Sequence, residues 1–266
     1  METRAAPRAV DGFVLFQDDS RMAGHWCATG EVDLEAAVHG AYRRLLELTD
    51  GFHLYRIWNF VPRINAVDQG LENYRRFCRG RSIAFEEHFR SGFQQHLPSA
   101  SAVGSTGSAL VLAFVAGRTP PRHYENPAQT PAFEYPPQYG PRPPSFARAT
   151  AVDLPGARQI FISGTAAIRD HRTVGAGDFD AQVTCTVENL RLIAATSGAG
   201  EDLGAGRFRR SFRIYLRHES DLAVAQSRLD RELLRPGDTV QFVQADICRA
   251  ELMLEIEATL TGSPAV

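Results

Sequence analysis

Apolar residues along this 266-residue chain switch between a two-residue and a 3.6-residue period, and each switch marks an element. QIFISGTAAI (159–168) is apolar and rich in β-formers, broken only at Ser163-Gly164, and predicts a strand. DFDAQVTCTVENLRLIAATS (178–197) places Val183, Val187, Leu190 and Ala194 on one helical face. Asp178 or Asp180 can cap its start and Gly198 can close its end. FRRSFRIYLR (208–217) alternates as a strand. Residues 221–234 put Leu222, Ala225, Leu229 and Leu233 on one side of a helix that Pro236-Gly237 stops. Strands follow at 239–245 and 251–260. The N-terminal part predicts a strand at 12–17, a helix at 34–48, a strand at 54–60, a helix at 71–89 and a strand at 110–115. LYRIWNF (54–60) echoes FRIYLRH (212–218), as a duplication would. Each half then reads as a mixed sheet with two helices on one face, an α+β class.

Between the halves, GRTPPRHYENPAQTPAFEYPPQYGPRPPSFAR (117–148) holds nine of the fifteen prolines, with Tyr124, Tyr135 and Tyr139. Proline fixes φ and removes a donor, so no regular element runs through this segment. Flexible linkers are poor in aromatics, whereas this one is stiff, aromatic and arginine-bearing. A long loop of this kind in a compact protein predicts an ordered wall of a site. The expected division is residues 1–117, a loop at 118–150, and 151–266.

Composition removes several classes. Lysine is absent, so all 29 basic residues are arginine, and neither a Schiff-base nor a P-loop lysine exists. The net charge of −2 lacks the basic excess of a nucleic-acid binder. No apolar run reaches the roughly 18 residues that span a bilayer. Cys27, Cys78, Cys185 and Cys248 form no CxxC clip, and the eight histidines form no HxH or HExxH, so no metal site is signalled. Free thiols and an N-terminus without an apolar signal core predict a cytoplasmic protein.

Candidate chemistry lies in ELMLEIEATL (251–260), where Leu252, Leu254 and Ile256 take one face and Met253, Glu255 and Glu257 the other. Such a face is ordinarily solvated. Covered by another domain, it would carry a carboxyl with a raised pKa, a usable acid or base.

FISGTAAIRD, QVTCTVENLRLIAATSGAG and the closing EIEA resemble the YjgF/Rid-like fold, a chorismate mutase-like α+β arrangement. Ordinary Rid members are trimeric enamine/imine deaminases that bind the substrate carboxylate with an arginine opening the penultimate strand. Here that stretch reads Asp238-Thr239-Val240-Gln241-Phe242, which disfavours deamination. The whole chain from about Asp11 is more specifically similar to the chorismatase family, on LYRIWNFVPRIN (54–65), NYRRFCRGRSIAF (73–85), LPSASAVG (97–104), YGPRPPSFARAT (139–150), FISGTA (161–166) and QADICRAELMLEIEA (244–258). That resemblance implies two tandem Rid-like halves packed as a partial pseudo-trimer, with an active site between them. It implies chorismate hydrolysis for secondary metabolism, with Glu255 as the catalytic acid; Glu257, which shares its strand face, is the runner-up. Gly164 and Cys248 are the positions that go with product. A glycine and a cysteine there resemble the 3-hydroxybenzoate branch, whereas alanines go with release of the dihydroxycyclohexadienoate.

A dianionic substrate needs cations, and arginine binds carboxylates bidentately. The candidates are Arg81, Arg142, Arg148 and Arg217, with Tyr135 and Tyr215 as hydrogen-bonding partners. Acid catalysis needs no metal and no organic cofactor. Chorismate is the expected partner, with no nucleic acid and no membrane, and the chain is expected to be a monomer, with a trimer as the alternative. The remaining readings are a chorismatase giving the diene diol or a mixture of 3- and 4-hydroxybenzoate, a Rid-type deaminase, and a non-catalytic binding protein.

Overall fold

The computed structural model describes residues 6–30 and 33–263. The N-terminal part runs β1 (Arg8–Val10), β2 (Phe13–Gln17), β3 (Arg21–Ala28), α1 (Leu34–Leu48), β4 (His53–Pro62), a small hairpin β5 (Val67–Asp68) and β6 (Leu71–Glu72), α2 (Asn73–Phe89), β7 (Ser99–Ser105) and β8 (Leu110–Gly117). Next come β9 (Arg122–Tyr124) and single 3-10 turns at Ala132–Glu134 and Pro137–Tyr139. The C-terminal part is β10 (Ala149–Leu154), β11 (Ala157–Thr165), the hairpin β12 (Ile168–Arg169) and β13 (Arg172–Thr173), α3 (Phe179–Thr196), β14 (Phe208–Leu216), α4 (Leu222–Glu232), β15 (Thr239–Gln244) and β16 (Leu254–Gly262).

The two six-stranded sheets are ordered β1-β2-β3-β8-β4-β7 and β15-β14-β16-β11-β10-β9. From β3 through β8 and β4 to β7, the pairings are antiparallel, antiparallel and parallel. From β11 through β16 and β14 to β15 the same sequence recurs. Both halves therefore follow one path of hairpin, helix, strand, helix and two strands, the relation that the LYRIWNF/FRIYLRH echo suggested.

Each sheet buries one face under its helices. Asp33 caps α1 by accepting from the Ala36 amide at 2.9 Å, and Asp178 caps α3 from Ala181 at 3.0 Å. Leu45, Ile57, Phe85 and Phe114 centre one core, and Ile160, Leu190, Phe212 and Ile256 the other. Burying each such side chain contributes about 1.5–3 kcal/mol. The opposite faces of the sheets meet each other. Tyr55 and Phe161 stack across this interface with ring centroids 6.4 Å apart, beside Val152 and Leu154. A bulge between Leu54 and Arg56 turns both Tyr55 and Arg56 toward it.

Some expected bounds shift. Residues 71–72 pair with 67–68, so α2 starts at Asn73 rather than 71. The last strand starts at Leu254, and 251–253 belong to the preceding turn. The 159–168 strand ends at Thr165, after a register shift between Ile162 and Thr165 where Ser163-Gly164 sit. Strands β3, β7 and β10 had no clear pattern: RMAGHWCA and SASAVGS mix small and polar residues, and most of β7 and β10 is buried. No helix among the described residues is long and apolar enough to cross a membrane.

Candidate active site between the two halves

The proline-rich segment is tied down along its length. The Asn126 side chain donates to the Asn189 carbonyl at 3.0 Å, the Thr130 amide to Asp170 at 2.9 Å, and the Ala147 amide to Pro98 at 3.0 Å. The segment closes one side of a cavity of about 180 Å³, whose other walls are α2, β7, the bulge of β11, the 248–251 turn and β16. Both halves and the loop supply lining residues.

Glu255 faces this cavity and is only 3% exposed, with its Oε1 unpartnered. Burial raises its pKa to about 8, the Glu257 charge adds to the rise, and Arg56 and Arg148 oppose it. Near neutral pH the carboxyl is therefore largely protonated, with a free oxygen at the cavity. Glu257, two residues along the same strand face, has the opposite surroundings. It accepts from Arg56 Nη2 at 2.7 Å, Ser101 Oγ at 2.6 Å, Trp58 Nε1 at 2.8 Å and Arg213 Nη1 at 3.1 Å. It does not line the cavity. Of the two carboxyls that strand periodicity made equivalent, Glu257 is saturated as an ion-pair anchor and Glu255 is free to react.

Gly164 is both a bulge residue and a neighbour of Glu255: a Cβ there would lie 1.9 Å from Glu255 Oε1. Cys248 lines the same cavity. Burial, then the nearby Glu255 charge, pushes its thiol up to about 12, so it is an S–H group and not a thiolate.

Among the expected binding residues, Arg81, Tyr135 and Arg148 line the cavity. Arg81 is 1% exposed, pairs with no carboxylate among the described residues, and lies over the Phe77 ring at 4.9 Å. Arg148 donates to the Tyr135 hydroxyl at 2.8 Å. Beside it, Glu125 is raised by burial to about 7, against the pull of Arg148. The other three do not line the cavity. Arg142 pairs outward with Glu86 at 2.6 Å. Tyr215 is the cross-strand neighbour of Glu255 but packs with Val103, Ile247 and Leu252, so it sits beside the acid without lining the cavity. Arg217 sits behind the 246–252 turn, donating to the carbonyls of Leu252 at 2.7 Å and Arg249 at 2.9 Å. It shapes the segment that carries Cys248 instead of facing a ligand.

Arg249, Arg75 and Ser101, and Tyr139 of the proline-rich loop, line the cavity without being among the expected binding residues. The Arg249 guanidinium lies over Tyr139 at 4.2 Å and Tyr135 at 5.4 Å, with no carboxylate partner among the described residues. Its place directly after Cys248 was the available signal. No group of His, Cys, Asp and Glu able to hold a metal occurs among the described residues.

A family model described as "Chorismatase FkbO/Hyg5-like, N-terminal" matches residues 3–116. The chain is 37% identical over 238 residues to a 3-hydroxybenzoate synthase of Streptomyces hygroscopicus, covering 84% of this chain and 69% of that protein. This chain belongs to the chorismatase family. It is also 39% identical over 220 residues to a chorismatase of Streptomyces rapamycinicus, covering 78% of this chain and 64% of that one. The chain thus spans about two thirds of the length of these curated relatives. A crystal structure of a chorismatase superposes with a TM-score of 0.88 at 30% identity, covering 97% of this chain and 80% of that one. The tandem α+β architecture and the chorismatase resemblance read from the sequence agree with these relatives.

Proposed function

We propose that the chain is a chorismatase that converts chorismate to 3-hydroxybenzoate and pyruvate. The observation that carries this reading is Glu255: a buried carboxyl with a pKa of about 8 and an unpartnered oxygen, in a cavity walled by arginines. Chorismate is a dianion with an enol ether on C3 and a hydroxyl on C4. Arg81, Arg148 and Arg249 supply cations to its carboxylates, and the tyrosines and Phe146 supply flat walls for its ring. Glu255 donates its proton to the enol-ether methylene, generating an oxocarbenium ion that the resulting carboxylate stabilises. Water captures that ion, and collapse of the hemiketal releases pyruvate and leaves the oxygen on C3. Loss of the C4 hydroxyl as water then gives 3-hydroxybenzoate, so the net reaction neither consumes nor releases water. The Cys248 S–H, with the space left by Gly164, favours this aromatising step by hydrogen bonding or by acting as an acid. Both halves of one chain wall the cavity, which supports a chain that works without a second copy.

The test is to incubate the purified protein with chorismate and identify the products. Wild type should give 3-hydroxybenzoate and pyruvate in equal amounts. Glu255→Gln should lower kcat by about 10²–10⁴-fold, the usual contribution of a general acid. Full activity in that variant would refute the assignment.

A further inference from the structure

Glu255 and Glu257 share one strand face, yet only Glu257 is held by partners, and those partners reach Glu255 by a second route. The Ser101 hydroxyl donates to Glu257 Oε2 at 2.6 Å. Ser101 Oγ itself accepts from the Gly164 amide at 3.0 Å and from Arg56. It therefore joins the buried Arg56–Glu257 pair to the bulge whose bare α-carbon leaves room for the Glu255 carboxyl. Ser101 is 4% exposed and Arg56 1% exposed, so water does not substitute for these contacts. Gly164 lies in the register shift of β11, where the cross-strand pairing with β16 is interrupted. Its amide is instead held by Ser101 of the other half.

We propose that Ser101 and Glu257 are positioning residues for the Glu255 proton donor. Ser101 pins the Gly164 bulge, and Glu257 keeps a fixed negative charge on the strand face beside the acid. This rests on the reading of Glu255 as that acid. The groups facing Glu255 are Glu257 on its own strand, Tyr215 on β14, Arg56 on β4, Arg148 on the loop, Cys248 on the turn and Arg81 on α2. Glu257 and Arg56 act on it in opposite directions, and pairing the two keeps Arg56 from stabilising the ionised form of Glu255 alone.

The experiment is a pH profile of kcat and KM for chorismate turnover by wild type, Glu257→Gln and Ser101→Ala. The protonated form of Glu255 is the active one, so kcat falls as pH rises through its pKa. Glu257→Gln removes a charge that disfavours ionisation and leaves Arg56 uncompensated, so its alkaline limb should move to lower pH by about one unit or more. A residue that merely supports the fold would lower kcat evenly and leave the limb in place. Ser101→Ala deletes a single hydroxyl and should lower kcat about tenfold or more while KM changes less than about threefold. If Glu257→Gln does not fold, as loss of one partner of a buried pair can cause, Ser101→Ala decides. An unmoved limb in a folded Glu257→Gln, wild-type kcat in Ser101→Ala, or an effect of Ser101→Ala confined to KM would overturn the proposal. A fully active Glu255→Gln would instead remove the acid assignment beneath it.

Discussion

Replacing Gly164 by alanine probes how closely the acid is seated. The new Cβ would fall 1.9 Å from Glu255 Oε1, 2.6 Å from its Cδ and 3.0 Å from Ser101 Oγ. Non-bonded carbon and oxygen atoms settle at about 3.5 Å, so the carboxyl has to withdraw by about 1.5 Å. Its surroundings away from the cavity are packed, with Tyr215 and Arg56 1% exposed and Ser101 4% exposed, so the movement is directed into the cavity rather than absorbed by the core. A displacement of about 1 Å in a reacting group costs up to about a hundredfold in rate. Gly164→Ala should therefore lower 3-hydroxybenzoate formation by about ten- to a hundredfold, or about 1.4–2.7 kcal/mol in barrier. The added methyl also takes the space left by Gly164 that the aromatising step uses, so the diene diol should make up a larger share of the remaining product, and more so in Gly164→Ala/Cys248→Ala. Chromatography of timed chorismate reactions separates the two ring products. Wild-type rate and wild-type product ratio in Gly164→Ala would refute this reasoning, as would Cys248→Ala in the double variant adding nothing to the diol.

The raised pKa of Glu255 also costs folding stability. A carboxyl whose pKa rises from 4.5 unfolded to about 8 folded is most favourable to the fold below pH 4.5, and that contribution is lost as pH rises through 8. Glu255→Gln should accordingly raise Tm relative to wild type at pH 8.5, with the difference shrinking toward pH 5 in differential scanning calorimetry; a constant difference across that range would contradict the assignment. The arginines should separate as their surroundings do: Arg81→Met should raise KM for chorismate by about tenfold or more, whereas Arg142→Ala, which loses only an outward pair with Glu86, should leave KM within about twofold. Steady-state kinetics on both variants checks this, and equal effects would contradict it.

Much of the architecture was legible because helices and half-buried strands carry periodic apolar faces. The four helices, the capping by Asp178 and strands β4, β8, β14 and β16 all stand out in this way. Strand β7 did not, because its Ser99 and Ser101 are buried against the other half while Ala100 and Ala102 join the core of their own half, and burial on both sides erases alternation. The same limit applied to the site. Residue type and periodicity pointed to Glu255 and Glu257 alike, and to arginines and tyrosines that line the cavity, support a turn or point outward.

By itself the chain order determined the repeating elements, the absence of lysine chemistry, the stiff loop and the pair of carboxyls on one strand. Tertiary structure decided which of that pair keeps an unpartnered oxygen at the cavity. A carboxyl's proton affinity depends on the charges and donors that surround it, and those come from Arg56, Trp58 and Ser101, more than 150 residues away in sequence. Only the meeting of the two sheets gives all three donors to Glu257 and leaves Glu255 Oε1 with no hydrogen-bond partner.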